Sequence, residues 1–305
     1  ATQGWVPTID EAVTDVPSKG NEEGIFGYGY TPGNNLSMTN LVSNTGVVST
    51  DVTGVGTGRY YLAACEYGGD KGIFGFGSDD NPVSMTNLVS NAGVVGTDVT
   101  GVGTAREGPA ACEYGGDKGI FGFGDEGSSS YVSMTNLVSN AGVVATDVTG
   151  VGTDRRFLAA TEYGTDTAIF GFGKDDSTYT AVTNLVSNAG VVATDVTGVG
   201  TARNFVMACG YGYDKAIFGF GYTGSAVGMT NLVSNAGVVA TDVSAVGTAR
   251  YGGGGCEYGG DKGIFGFGYP RDAAYTNLVS NTGVVASDIT GIGTARSYMA
   301  GCSFN

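Results

Sequence analysis

Residues 71–106 read KGIFGFGSDDNPVSMTNLVSNAGVVGTDVTGVGTAR, and the fold is decided by the recurrence of that stretch along the chain. The string IFG returns with its isoleucine at Ile25, Ile73, Ile120, Ile169, Ile217 and Ile264, at intervals of 47 to 49 residues. TNLVSN follows each time, beginning at Thr39, Thr86, Thr135, Thr183, Thr230 and Thr276. A valine-rich segment then ends at Arg59, Arg106, Arg155, Arg203, Arg250 and Arg296. The chain therefore holds six copies of one unit, starting near residues 24, 72, 119, 168, 216 and 263, preceded by a leader, 1–23, that does not match.

Within a copy the local pattern reads as four short strands: LAACEYG, the turn GGDK, GIFGFG, a variable loop, MTNLVSN, the turn NAG or NTG, and VVATDVTGV. Alternation puts Phe74 and Phe76 on one face of the second strand and Ile73, Gly75 and Gly77 on the other. If successive sheets stack, the aromatic pair of one rests on the glycine-lined face of its neighbour. Four strands in about 48 residues fit a β-propeller blade, whose reference periods run from roughly 40 to roughly 50 residues. The first copy lacks a strand ahead of GIFGYG, whereas Arg296 is followed by SYMAGCSFN. A strand within 297–305 is thus expected to complete the first copy and close an all-β, six-bladed ring spanning 24–305, leaving no open edge at the seam. A solenoid competes, but it needs polar capping repeats that the sequence lacks.

Composition narrows the function. Glycine supplies 56 of 305 residues, a burden in helix interiors of about 1 kcal/mol each relative to alanine. There is no histidine, which removes the commonest general base and metal ligand. The net charge of −15 repels phosphates and anionic lipid, so neither nucleic acid nor membrane insertion is expected, and no apolar run approaches the roughly 20 residues of a helical span. Ala1 in place of an initiator Met suggests a processed or partial product.

The order TAR, LAA, KGIFGFG, TNLVSN resembles the kelch repeat, in which an Arg precedes the inner strand, a glycine pair ends the second and an Asn or Asp opens the third. Here GFG stands for the glycine doublet, valine for the kelch Trp, and the single Trp5 lies outside the copies. The near-identical units are also similar to repeat-rich proteins of bacteriophage and environmental viral genomes. That similarity implies a tail or other virion component.

Cys65, Cys112, Cys209, Cys256 and Cys302 share one inner-strand position, filled by Thr161 in the remaining copy. Equivalent positions on a ring are too far apart for disulfides, so a small buried residue is expected there. Beside them Glu66, Glu113, Glu162 and Glu257, interrupted by Gly210 and Ser303, form a candidate cation ring for Ca²⁺, with solvated side chains as the simpler expectation. One Asp per copy (Asp51, Asp98, Asp147, Asp195, Asp242, Asp288) and one closing Arg suggest a repeated structural ion pair, and Asn40, Asn44 and their counterparts suggest turn and inter-strand hydrogen bonds. No nucleophile with an adjacent base and no asymmetric polar cluster emerges. The chain is expected not to be an enzyme and to need no cofactor.

Two stretches vary between copies, one joining the second and third strands and one following the closing Arg. Antiparallel connectivity puts both on one face, opposite the invariant turns. Recognition resides in loops on a rigid scaffold. The candidate binding residues are therefore Tyr30, Tyr60, Tyr61, Asp79, Asp80, Tyr131, Arg156, Phe157, Asp175, Asp176, Tyr179, Phe205, Tyr222, Tyr269 and Tyr275. Their aromatic character suits protein surfaces or sugars. The expectation is an adhesion or assembly protein on a virion or cell surface, partnered by other proteins of a larger assembly or by surface glycan, with a multivalent soluble lectin as the alternative.

Overall fold

The structure is a computed structural model that describes residues 22–244, 246–270 and 274–305. The leader as far as residue 21 lies outside the described residues. The described residues contain no helix and form six small antiparallel sheets. Each of copies two to six supplies its own first three strands. In copy two these are Ala63–Tyr67, Lys71–Gly75 and Thr86–Val89, hydrogen-bonded in that order. In the first sheet the strand Ala300–Phe304 pairs antiparallel with Glu23–Thr31, Phe304 opposite Glu23 and Ala300 opposite Gly27.

The expected fourth strand is mostly reduced to two bridges. Thr86 faces Val99 and Val89 faces Val95, with equivalents in the other copies, and only Ile289–Thr290 forms a short strand. The cause is an asparagine side chain. Asn87 Nδ2 donates to the Gly96 carbonyl at 3.0 Å and to Asp98 Oδ1 at 2.9 Å, so between the bridges a side chain stands where a ladder partner would be.

The sheets pack as the glycine pattern requires. A Cβ on Gly75 would lie 2.7 Å from Phe121 of the next copy. Gly27, Gly122, Gly171, Gly219 and Gly266 meet Phe74, Phe170, Phe218, Phe265 and Phe26 in the same way. Only the first aromatic of each pair does this, which corrects the expected alternation. The second aromatic, Tyr28 or Phe76, Phe123, Phe172, Phe220 and Phe267, has φ between 60° and 65° and is followed by another positive-φ glycine. Where the strand continues, the register shifts there, between Gly122 and Gly124 for example. The bulge turns the second ring to the opposite face. Phe74 contacts Tyr28 of the preceding copy at 5.1 Å, whereas Phe76 contacts Phe121 of the following one at 5.1 Å.

Each closing Arg is buried at this junction, at most 1% exposed. Its guanidinium lies 4.0 to 4.4 Å over the second aromatic of its own copy. Its Nε donates to the carbonyl of the second aromatic in the next copy, Arg106 to Phe123 at 2.7 Å and Arg296 to Tyr28 at 2.8 Å. The recurring ion pair exists, but across copies: Arg59 reaches Asp98, Arg106 Asp147, Arg155 Asp195, Arg203 Asp242 and Arg250 Asp288, at 3.7 to 4.0 Å. Arg296 reaches Asp51, whose carboxylate also accepts from Thr294 across 243 positions of chain.

The same cyclic order governs the first strands. Ala300–Phe304, Ala63–Tyr67, Ala110–Tyr114, Ala159–Tyr163, Met207–Tyr211 and Gly254–Tyr258 are neighbours in turn, the last beside the first again. The residues two after each closing Arg form a cycle of backbone bonds. Gly108 donates to Tyr61, Phe157 to Gly108, Phe205 to Phe157, Gly252 to Phe205, Tyr298 to Gly252 and Tyr61 to Tyr298, at 2.5 to 3.1 Å. All six sit at φ 53° to 64°.

Candidate functional site

Three groups of residues bear chemistry: the six first strands, the junctions already described and the variable loops. The first strands line a cavity of about 50 Å³, with Cys65, Cys112, Thr161, Cys209, Cys256, Cys302 and the four glutamates among its walls. All five cysteines are free and buried, and burial pushes their thiols well up. The sulfurs of Cys256, Cys302, Cys65 and Cys209 press on Gly24, Gly72, Gly119 and Gly263 of the following copies, where a Cβ would collide.

The glutamates lean on neighbouring backbone. Glu66 Oε1 accepts from the Ser303 amide at 3.0 Å, and the Glu257 carboxylate fills the space over Gly210. The two gaps in the carboxylate series thus receive the glutamates of the adjoining strands. Among the described residues no three Asp, Glu, Cys or His side chains gather as a metal site.

The variable stretches do meet. Arg156 pairs with Lys174, Glu107 with Asp125 and Asn204 with Tyr222 through isolated bridges, so the residue after each closing Arg lies beside the residue after GFG. The invariant turns meet elsewhere: the Gly115 amide donates to the Asp166 carbonyl, and Asn188 Nδ2 donates to Asp166 Oδ2 at 3.1 Å.

At the variable end a cleft of about 340 Å³ opens, lined by Tyr61, Glu107, Arg156, Phe157, Lys174, Tyr179, Asn204, Phe205 and Tyr222. Phe157 stacks on Phe205 with centroids 4.1 Å apart, and Tyr61 approaches them at 4.7 and 5.7 Å. Tyr179 and Tyr222 meet edge to face at 6.0 Å. Arg156 is held between two rings and two carboxylates. It lies 4.9 Å over Tyr131 and 4.5 Å over Phe157, and its Nη1 donates to Asp125 Oδ2 at 2.6 Å and to Glu107 Oε1 at 3.2 Å.

Burial pushes the Glu107 carboxyl up, partly offset by Arg156. Burial, with Glu107 adding to it, lifts the Tyr61 hydroxyl to about 12, so it stays protonated and can donate. Two buried polar atoms on the cleft residues lack partners: Asn204 Oδ1, on a side chain 3% exposed, and Arg156 Nε. Lys174 also stands apart. Every other described lysine and arginine has a carboxylate within 4.0 Å, and Lys174 has none among the described residues.

Of the residues expected to bind, six line this cleft: Tyr61, Arg156, Phe157, Tyr179, Phe205 and Tyr222. Tyr131 supports Arg156, while Tyr30 and Tyr60 stack in a row that ends on Tyr61. Tyr269 joins through Tyr251 at 5.2 Å, and Tyr251 in turn contacts Phe205. The remaining five lie apart from the cleft lining. Asp175 caps the Ser177 and Thr178 amides, Asp80 accepts from Asn35, Tyr275 begins a strand, and Asp79 and Asp176 are not among the lining residues.

Sequence reasoning missed Glu107, Lys174 and Asn204, and with them an asymmetric polar cluster. Their signal is positional: each stands directly after a closing Arg or directly after GFG. No protein-family model matches the chain, and no curated protein matches it.

Proposed function

We propose that this chain is a six-bladed β-propeller of kelch-like repeats, closed by its C-terminal strand, acting as a non-enzymatic adhesion module through its variable-loop face. The cyclic Arg–Asp series ending in Arg296–Asp51 supports the ring, and end-on electron-microscopy class averages with sixfold density would bear it out, whereas an open arc would exclude it. One observation carries the binding reading. The differences between otherwise uniform copies converge on one cleft with an aromatic lining and convergent polar groups, the usual make-up of a recognition site. Because a propeller scaffold hosts many functions, this cleft rather than the fold bears the argument.

The setting we propose is a virion or another extracellular particle, following the similarity of the units to phage and environmental viral repeat proteins. A lectin is the second reading, favoured by the tyrosines in the cleft lining. Its sites would not be equivalent, since the counterparts of Asn204 are Tyr60, Glu107, Arg156, Tyr251 and Ser297.

The test compares the intact chain with a variant whose first two residues after each closing Arg are the Tyr-Gly of copy six, which leaves the buried strand residues that follow unchanged. Loss of attachment to particles or glycan arrays, with the melting temperature kept, is expected. Unchanged attachment would refute the variable-face reading.

A further inference from the structure

Resting on the variable-face reading, we infer that the cleft between copies four and five holds a carboxylated sugar residue, stacked on its aromatic wall with its carboxylate toward Lys174. Four observations converge. The volume of about 340 Å³ lies at the lower end of small-molecule sites, which suits one pyranose unit better than a peptide or an extended chain. Phe157 is covered by Phe205 and by Arg156, so the rings that take the C–H face of a pyranose are Tyr179 and Tyr222, which meet edge to face, and the lining adds polar groups of both hydrogen-bonding senses.

Asn204 Oδ1 is a buried acceptor without a donor on a side chain that lines the cleft. Leaving such a group unpaired is unfavourable, and a turn of the Asn204 side chain that brings its closed-off oxygen to the cleft lets a ligand hydroxyl donate to it. Glu107, also in the lining, is a further acceptor for hydroxyls.

The charge specifies the acid. The protein carries −15 overall, and its other described cations are each committed to a carboxylate. Among the described residues the one cation without a carboxylate within 4.0 Å is Lys174, in the cleft lining, where Asp175 acts on it only at longer range. Overall repulsion does not forbid an anion there, because at physiological salt it is screened beyond about 8 Å while the local ammonium acts at contact distance. A phosphorylated ligand fits less well, since Arg156 is already held by Asp125 and Glu107, leaving one positive charge for a dianion.

The experiment titrates the full chain with methyl β-D-glucuronide and the methyl glycoside of N-acetylneuraminic acid, against methyl β-D-glucoside, glucose 6-phosphate and the glucuronide methyl ester, by calorimetry or saturation-transfer NMR. At least one acid is expected to bind tenfold or more tighter than the neutral sugars. Lys174→Gln is expected to erase that preference without moving the melting temperature, and added salt to weaken only the acids. Tyr179→Ala should weaken acid and neutral sugars alike. Equal affinity for acid and ester, an unaltered preference in Lys174→Gln, tighter binding of the phosphate, or no binding of any sugar would overturn the assignment. The adhesion reading would still stand if the loop-exchanged variant loses attachment, and would fall separately if it does not.

Discussion

At the scale of single residues, each closing Arg joins an aromatic face, a carbonyl and a carboxylate belonging to two sheets. Removing one leaves a buried carbonyl acceptor unpaired, at a cost of about 1 to 3 kcal/mol, while the carboxylate keeps its Asn and Thr donors. Arg155→Met should therefore lower the urea midpoint strongly. Arg155→Lys should recover little, because an ammonium cannot both stack on Phe123 and reach the Phe172 carbonyl. Gly122→Val puts side-chain atoms where Phe170 lies and should cost about 1 to 3 kcal/mol in the same measurement. The five cysteines should resist a thiol reagent in the native protein and all react once it is unfolded, since burial disfavours the thiolate. The packing of large on small was readable from GIFGFG. The turning of Phe76 to the other face was not, because phenylalanine seldom takes a positive φ and the two flanking glycines mask which residue bears it.

At the scale of elements, the outer segment of each copy is held by side chains as much as by backbone. Burial works to raise Asp98, but hydrogen bonds from Asn87 and Thr57 and the charge of Arg59 prevail, and its carboxyl sits below the ordinary 3.8. Asp51, Asp147, Asp195, Asp242 and Asp288 behave alike. A depressed native value means stability that is present above the unfolded value and lost as pH falls through the native one. The melting temperature should hold down to about pH 4 and then drop steeply, and Asp195→Asn should make that drop shallower. The sequence displayed Asp and Arg at constant separation. It could not tell a pair within a copy from a pair between copies, since a strict period leaves both distances equally regular. The same ambiguity hid the cleft, whose walls come from loops of separate copies, Glu107 and Arg156 among them.

At the scale of the whole molecule, the ends of the described chain meet: Glu22 donates its amide to the Asn305 carbonyl at 3.1 Å, and Asn305 donates to Asp70. Deleting 297–305 strips Glu23–Gly27 of its partner strand and should lower the melting temperature by at least about 10 °C, measured by circular dichroism. Joining residue 22 to residue 305 and opening the chain between Gly116 and Asp117 should leave the fold intact, since all sheets keep their strands. The backbone cycle through Tyr61, Gly108, Phe157, Phe205, Gly252 and Tyr298 has an evolutionary consequence. Its main chain makes the same bonds whether a position bears a phenol, a phenyl ring or a lone hydrogen. Substitution there changes the side chains the six positions present while the backbone bonds beneath them stay the same, so on the variable-face reading a lineage inherits one unaltered frame under a changing surface.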